Sequence, residues 1–212
     1  METIDHLRDA KTIFWDFDGV IKESVTVKSD AFEQLFLPFG KEVAINVRKH
    51  HEANGGMSRF EKLPIYLEWV GQESIEELTT EYEEKFSLLV KQKVINSDWV
   101  LGSLDYLKNN HHYQQFFLIT ATTQQEIEEI LSALKINQFF EEVIGAPTKK
   151  GHAIKQVLER YNITLEHTVM IGDSNSDYVA AVENKIPFVL RKTDLNKKLQ
   201  NELDCEIINN FL

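Results

Sequence analysis

The stretch Thr12-Ile13-Phe14-Trp15-Asp16-Phe17-Asp18-Gly19-Val20 decides how the rest of the chain is read. Its first four residues, β-branched or aromatic, read as a buried strand. The run ends on a carboxylate, a second carboxylate follows two residues later, and Gly19 permits a sharp turn away from the strand end. Outward from this point, residues 116–120, 142–144, 168–171 and 188–190 have the same strand-like texture. Between them, Ile127, Ile130, Leu131 and Leu134, then Ile154, Val157, Leu158 and Tyr161, follow the i, i+3, i+4, i+7 spacing of helices with one apolar stripe. From about residue 101 onward this alternation predicts right-handed crossovers and an α/β fold, a doubly wound parallel sheet with helices on both faces.

Residues 23–98 differ. No strand is evident there, and Phe32, Leu35, Phe36 and Phe39, then Leu78, Tyr82, Phe86 and Leu89, recur at helical intervals. The expected organisation is an α/β core of residues 1–22 and 99–212 with a helical domain, 23–98, inserted after the first strand. The crossings, near 20–24 and 97–102, are hinge candidates. The aromatic stripes are expected to form the insertion's own small core, and the Glu76-Glu77, Glu81, Glu83, Glu84 series a solvated helix face.

Composition narrows the function. The 212 residues hold 23 Lys plus Arg against 34 Asp plus Glu, a net charge of −11 that opposes a phosphate backbone, so a nucleic-acid partner is not expected. The lone Cys205 excludes an intrachain disulfide and reads as packing. No apolar run approaches the length of a membrane span, and residues 1–11 lack the apolar centre of a secretory signal, so a cytoplasmic protein without a membrane partner is expected. The seven histidines, including His50-His51 and His111-His112, lack zinc-ligand spacing.

A second acidic stretch, Gly172-Asp173-Ser174-Asn175-Ser176-Asp177, also lies where a predicted strand stops. Ligands bind outside the carboxyl ends of strands in such sheets, so the two loops would meet if their strands were neighbours. Four carboxylates together, Asp16, Asp18, Asp173 and Asp177, need a compensating cation, and oxygen-only ligation favours a hard ion such as Mg²⁺, which often takes further ligands from a phosphate. Thr120, expected to close its strand, and Lys150, at the head of the Ile154 helix, are suitable donors to that phosphate.

In this order, Asp16-Phe17-Asp18-Gly19-Val20, Thr120, the Lys149-Lys150 pair and Gly172-Asp173-Ser174-Asn175-Ser176-Asp177 resemble the four motifs of the haloacid-dehalogenase-like superfamily. The long helical insertion resembles the cap of its phosphoglycolate-phosphatase and β-phosphoglucomutase-like branch. The resemblance implies a magnesium-dependent phosphatase of small phosphorylated metabolites. Asp16 would be the nucleophile, phosphorylated in passing, and Asp18 the general acid and then base. Mg²⁺ would be held by Asp16, the Asp18 carbonyl and Asp173, with Asp177 ligating through water or orienting the shell; Thr120 and Lys150 would bind the phosphoryl oxygens. Val20 replaces the frequent threonine, and Lys149 competes with Lys150 for the third motif. Gly56-Met57-Ser58-Arg59 resembles a substrate-facing cap loop, which implies that Arg59, with Lys62 nearby, meets a second anionic group.

Other readings stay open. A phosphosugar mutase would use the same first step. A non-catalytic phospho-aspartate switch would use similar acids, but has no leaving alcohol for Asp18 to protonate. A dehalogenase would leave the magnesium acids without purpose. A calcium loop at 173–184 fails because Tyr178 stands where glycine is required and Asn184 where a bidentate glutamate is. Monomer and homodimer are equally compatible with the sequence.

Overall fold

A computed structural model describes residues 6–73 and 75–212. The central strand β1 (Thr12–Trp15) is followed, beyond the Asp16 turn, by four helices: α2 (Val25–Phe36, continued by a short 3-10 turn), α3 (Lys41–Ala53), α4 (Arg59–Trp69) and α5 (Glu76–Asn96). A short helix α1 (His6–Asp9) precedes β1. Then come α6 (Ser103–Asn110), β2 (Gln115–Thr123), α7 (Gln124–Leu134), β3 (Glu142–Ala146), α8 (Lys150–Arg160) and β4 (Thr168–Gly172). The chain finishes with α9 (Asn175–Glu183), β5 (Phe188–Arg191), α10 (Lys197–Glu202) and β6 (Glu206–Ile208). The six strands form one parallel sheet in the order β3-β2-β1-β4-β5-β6.

The continuous apolar texture of the strands is explained by burial on both faces. Ile13, Trp15, Phe116, Leu118, Val169 and Ile171 point to the layer holding α7. The alternating residues Phe14, Phe117, Ile119 and Met170 point to the layer holding α8 and α9. The strand order reverses at β1, and β4 is its neighbour in register Trp15↔Ile171, so the acids that follow these two strands emerge side by side.

One expectation needs correction, and one strand is additional. Thr120 does not close its strand: β2 continues to Thr123, with a shift of pairing against β3 between Ile119 and Thr123. The small residues Ala121-Thr122-Thr123 carry no apolar run of the strand kind, but threonine is a good strand former and the extended chain persists past the irregularity. The edge strand β6 was not anticipated, being three residues long with a glutamate at its head.

The two chain crossings lie against each other. Lys22 bridges Trp99, the Glu23 amide donates to Asp98 O (2.9 Å), and the Val100 amide donates to Ile21 O (3.0 Å). Within α2–α5, Phe32 stacks on Phe86 with ring centroids 4.1 Å apart and meets Tyr66 edge-on. These rings are continuous with the α7 face of the sheet core, and Phe32 and Phe86 also border the cleft described below, so they serve as both core and wall.

Candidate active site

Asp16 leaves β1 with its amide donating to Ile171 O of β4 (3.0 Å), which fixes its side chain at the sheet's carboxyl edge. Asp16, Asp173 and Asp177 each place a carboxylate oxygen within 4.8 Å of the others. Lys150 reaches in from the first turn of α8, its Nζ 2.9 Å from Asp16 Oδ1 and 2.5 Å from Asp177 Oδ1. Lys149, by contrast, points outward, largely exposed and 4.0 Å from Glu61. Asp177 is fully committed: its other oxygen accepts from the Ser174 amide (3.1 Å) and hydroxyl (2.6 Å), capping α9. One ammonium does not neutralise three carboxylates, of which Asp16 and Asp177 are buried and Asp173 is half-buried. Burial, with the neighbouring Asp177 and Asp18 charges and against the pull of Lys150, pushes the Asp16 carboxyl up to about 7. Burial and the Asp16 and Asp177 charges raise Asp173 well above the usual carboxylate range. An all-oxygen cluster that resists full ionisation fits a hard divalent cation.

Asp18 lies outside that cluster and is held differently. Burial works to raise its pKa, but the Lys28 ammonium and hydrogen bonds from Lys28 and Ser24 (2.6 Å) hold the carboxyl below its ordinary value. Lys28 Nζ also donates to Thr122 Oγ1 (2.7 Å). Lys28 was missed in the sequence because it sits in a helix ten residues past Asp18 with no motif around it. Thr120 is buried beside these groups and its hydroxyl accepts from the Thr122 amide (3.2 Å).

Gly19 makes the turn possible. Its φ is +75°, and a Cβ there would overlap the Asp173 carboxylate and crowd Val25. Gly19→Ala is expected to destabilise the fold by about 1–3 kcal/mol through left-handed strain alone. A thermal unfolding midpoint equal to wild type would contradict that account.

The acids open into a cleft of about 500 Å³ between the sheet edge and helices α2–α5. The loop before α4 seats on the acid loop so closely that a Cβ on Gly56 would overlap the Ser176 side chain. Arg59 and Lys62 both border the cleft, yet in different states. The Arg59 guanidinium is filled: it grips the Glu126 carboxylate of α7 with both terminal nitrogens, donates to Ser87 Oγ (2.5 Å) and stacks over Phe86. Lys62 Nζ instead lies 2.9 Å from His51 Nδ1.

Comparison with known proteins is consistent with this geometry. The model of the haloacid dehalogenase-like hydrolase family matches residues 13–190. None of the curated proteins matches the chain. Among solved structures, CbbY from Rhodobacter sphaeroides, in complex with phosphate, superposes with a TM-score of 0.75 at 13% identity, covering 95% of each chain. A hydrolase from Pseudomonas syringae gives 0.75 at 16% identity over 95% of this chain and 94% of its own. A predicted phosphoglycolate phosphatase from Haemophilus somnus gives 0.73 at 17% identity over 96% and 95%. At these identities the likeness is one of fold.

Proposed function

Because the chain belongs to the haloacid dehalogenase-like hydrolase family, we propose that it is a magnesium-dependent phosphatase, hydrolysing a small phosphorylated metabolite through an aspartyl-phosphate on Asp16. The observation that carries this reading is the convergence of Asp16 and Asp173 at the ends of adjacent strands with the buried Lys150 ammonium between Asp16 and Asp177. Asp16 Oδ attacks phosphorus, the ester P–O bond breaks, and the departing alcohol oxygen takes a proton from the Asp18–Lys28 pair. Asp18, as carboxylate, then removes a proton from the water that attacks phosphorus and releases phosphate from Asp16. Lys150 and Thr120 bind the phosphoryl oxygens on which charge is spread. Asp16, Asp173 and the Asp18 carbonyl would hold Mg²⁺, with Asp177 orienting the shell; the ion supplies charge neutralisation for the phosphoryl group.

The helices α2–α5 act in this reading as a cap that keeps bulk water from the first transfer. A phosphate-accepting switch would not need a cleft of about 500 Å³ bordered by Phe32 and Phe86. With p-nitrophenyl phosphate and Mg²⁺, the protein should release phosphate without a bisphosphate primer. EDTA should abolish that release, and excess Mg²⁺ restore it. Undiminished turnover in EDTA would remove the metal from the proposal, and a strict need for a primer would favour the mutase.

A further inference from the structure

Asp173 is held differently from the two acids beside it. Asp16 and Asp177 are gripped through their carboxylates by Lys150, and Asp177 also by Ser174. The Asp173 carboxylate accepts no hydrogen bond and meets no cation within 4 Å among the described residues. Its place is set by the Gly19 turn it packs on, where a Cβ would overlap it, and by its own backbone.

That backbone is fixed from two sides. The planar peptide group joining Asp173 to Ser174 donates its N–H to Asp177 Oδ2 (3.1 Å), while its carbonyl accepts from Asn196 Nδ2 (2.8 Å). Asn196 lies just before α10 and is 6% exposed. Its second N–H donates to Arg191 O (2.8 Å) at the end of β5, and its Oδ1 accepts from the Thr193 amide (2.9 Å) and from Gln200 Nε2 (2.7 Å). Two carbonyls face the nitrogen and two donors face the oxygen, so the side-chain amide points only one way. Every bonding position is used, and the group acts as a strut from the end of β5 to the acid loop.

The geometry points to Asn196 as a positioning residue that holds Asp173 ready for the cation through the Asp173 carbonyl. The inference rests on the magnesium assignment of the phosphatase reading and adds to it a residue from outside the acid loops. Three mutually repelling carboxylates favour separation while no cation is bound, and Asp173 has no side-chain partner to keep it in place. Without the strut its peptide group can turn and carry the carboxylate away from Asp16. Binding the cation would then include the cost of drawing it back.

Calorimetric titration of the metal-free protein with Mg²⁺ tests this. In Asn196→Leu, close in shape but unable to donate, the dissociation constant should rise by about tenfold or more. Hydrolysis of p-nitrophenyl phosphate should need correspondingly more Mg²⁺ for half-activation, yet kcat at saturating Mg²⁺ should return to within about threefold of wild type. Gln114→Leu is the matched control. Gln114 is also buried and its Nε2 also donates to two carbonyls, Leu7 O and Ala10 O, but at the opposite end of the strands. That variant should lose stability and keep its Mg²⁺ constant within about twofold. Asn196→Ala serves if the leucine variant does not fold. A rise of less than about threefold without Asn196, or an equal weakening in Gln114→Leu, overturns the inference. So does an activity loss that excess Mg²⁺ leaves in place, because Asn196 would then act on the fold and not through the cation. If wild type binds Mg²⁺ but hydrolyses no aryl phosphate, the phosphatase reading fails while the titration still decides the role of Asn196. A wild type that takes up no Mg²⁺ overturns both.

Discussion

Replacing Asp16 by asparagine is expected to lower kcat on p-nitrophenyl phosphate by about a thousandfold or more while leaving the fold intact. The amide retains the shape of the side chain between β1 and β4 but cannot form the acyl phosphate. A stability measurement separates this loss from unfolding. In metal-free wild type, the Asp16 pKa is raised from 3.8 to about 7 by burial and by Asp177 and Asp18, against the opposing pull of Lys150. Between those values the folded state holds a proton that the unfolded state has released. Stability conferred at low pH is therefore lost as pH rises through about 7. Asp16→Asn removes that penalty, so in EDTA at pH 7.5 the variant should unfold at a higher temperature than wild type. Added Mg²⁺ should stabilise it less. Ordinary turnover by the variant would take Asp16 out of the mechanism. A lowered melting point in EDTA would show that the cluster is not self-repelling.

The sheet and its acids were legible because each depended on a local pattern. β1 is foreseen to the residue, since a run of four β-branched and aromatic residues stops where Asp16 begins. Lys150 and Asp177 were placed by order along the chain, and their contact follows from helices α8 and α9 lying on one face of the sheet. What the sequence did not disclose was pairing between distant elements. Lys28 looks like any helical lysine until α2 folds over Asp18. Glu126 is one of several glutamates on an amphipathic helix, and nothing local separates it from Glu128 or Glu129, which stay at the surface. Arg59, singled out by its loop, carried no sign that a carboxylate 67 residues away would fill it. Periodicity reports which face of an element is buried; it does not report which charge on another element meets that face.

That concealed pair yields the second large effect. Arg59 and Glu126 are each about 5% exposed, and they join α4 to α7, with Ser87 of α5 bound to the same guanidinium. Glu126→Ala leaves a buried guanidinium without its anion, which is expected to destabilise the protein by about 3–5 kcal/mol. The double replacement Arg59→Met with Glu126→Leu removes both charges and fills the space with apolar groups. It should recover most of that loss, because two desolvated charges attract each other little more strongly than their desolvation costs. Denaturant unfolding of the four proteins gives the coupling energy directly. Lys91 and Glu129 bridge the neighbouring α5 and α7 in the same way but in solvent, so Glu129→Ala should leave the midpoint nearly unmoved. An equal, small effect at Glu126 and Glu129 would mean that the Arg59 site is wetted. Arg59 would then be free to exchange Glu126 for an anion from the cleft.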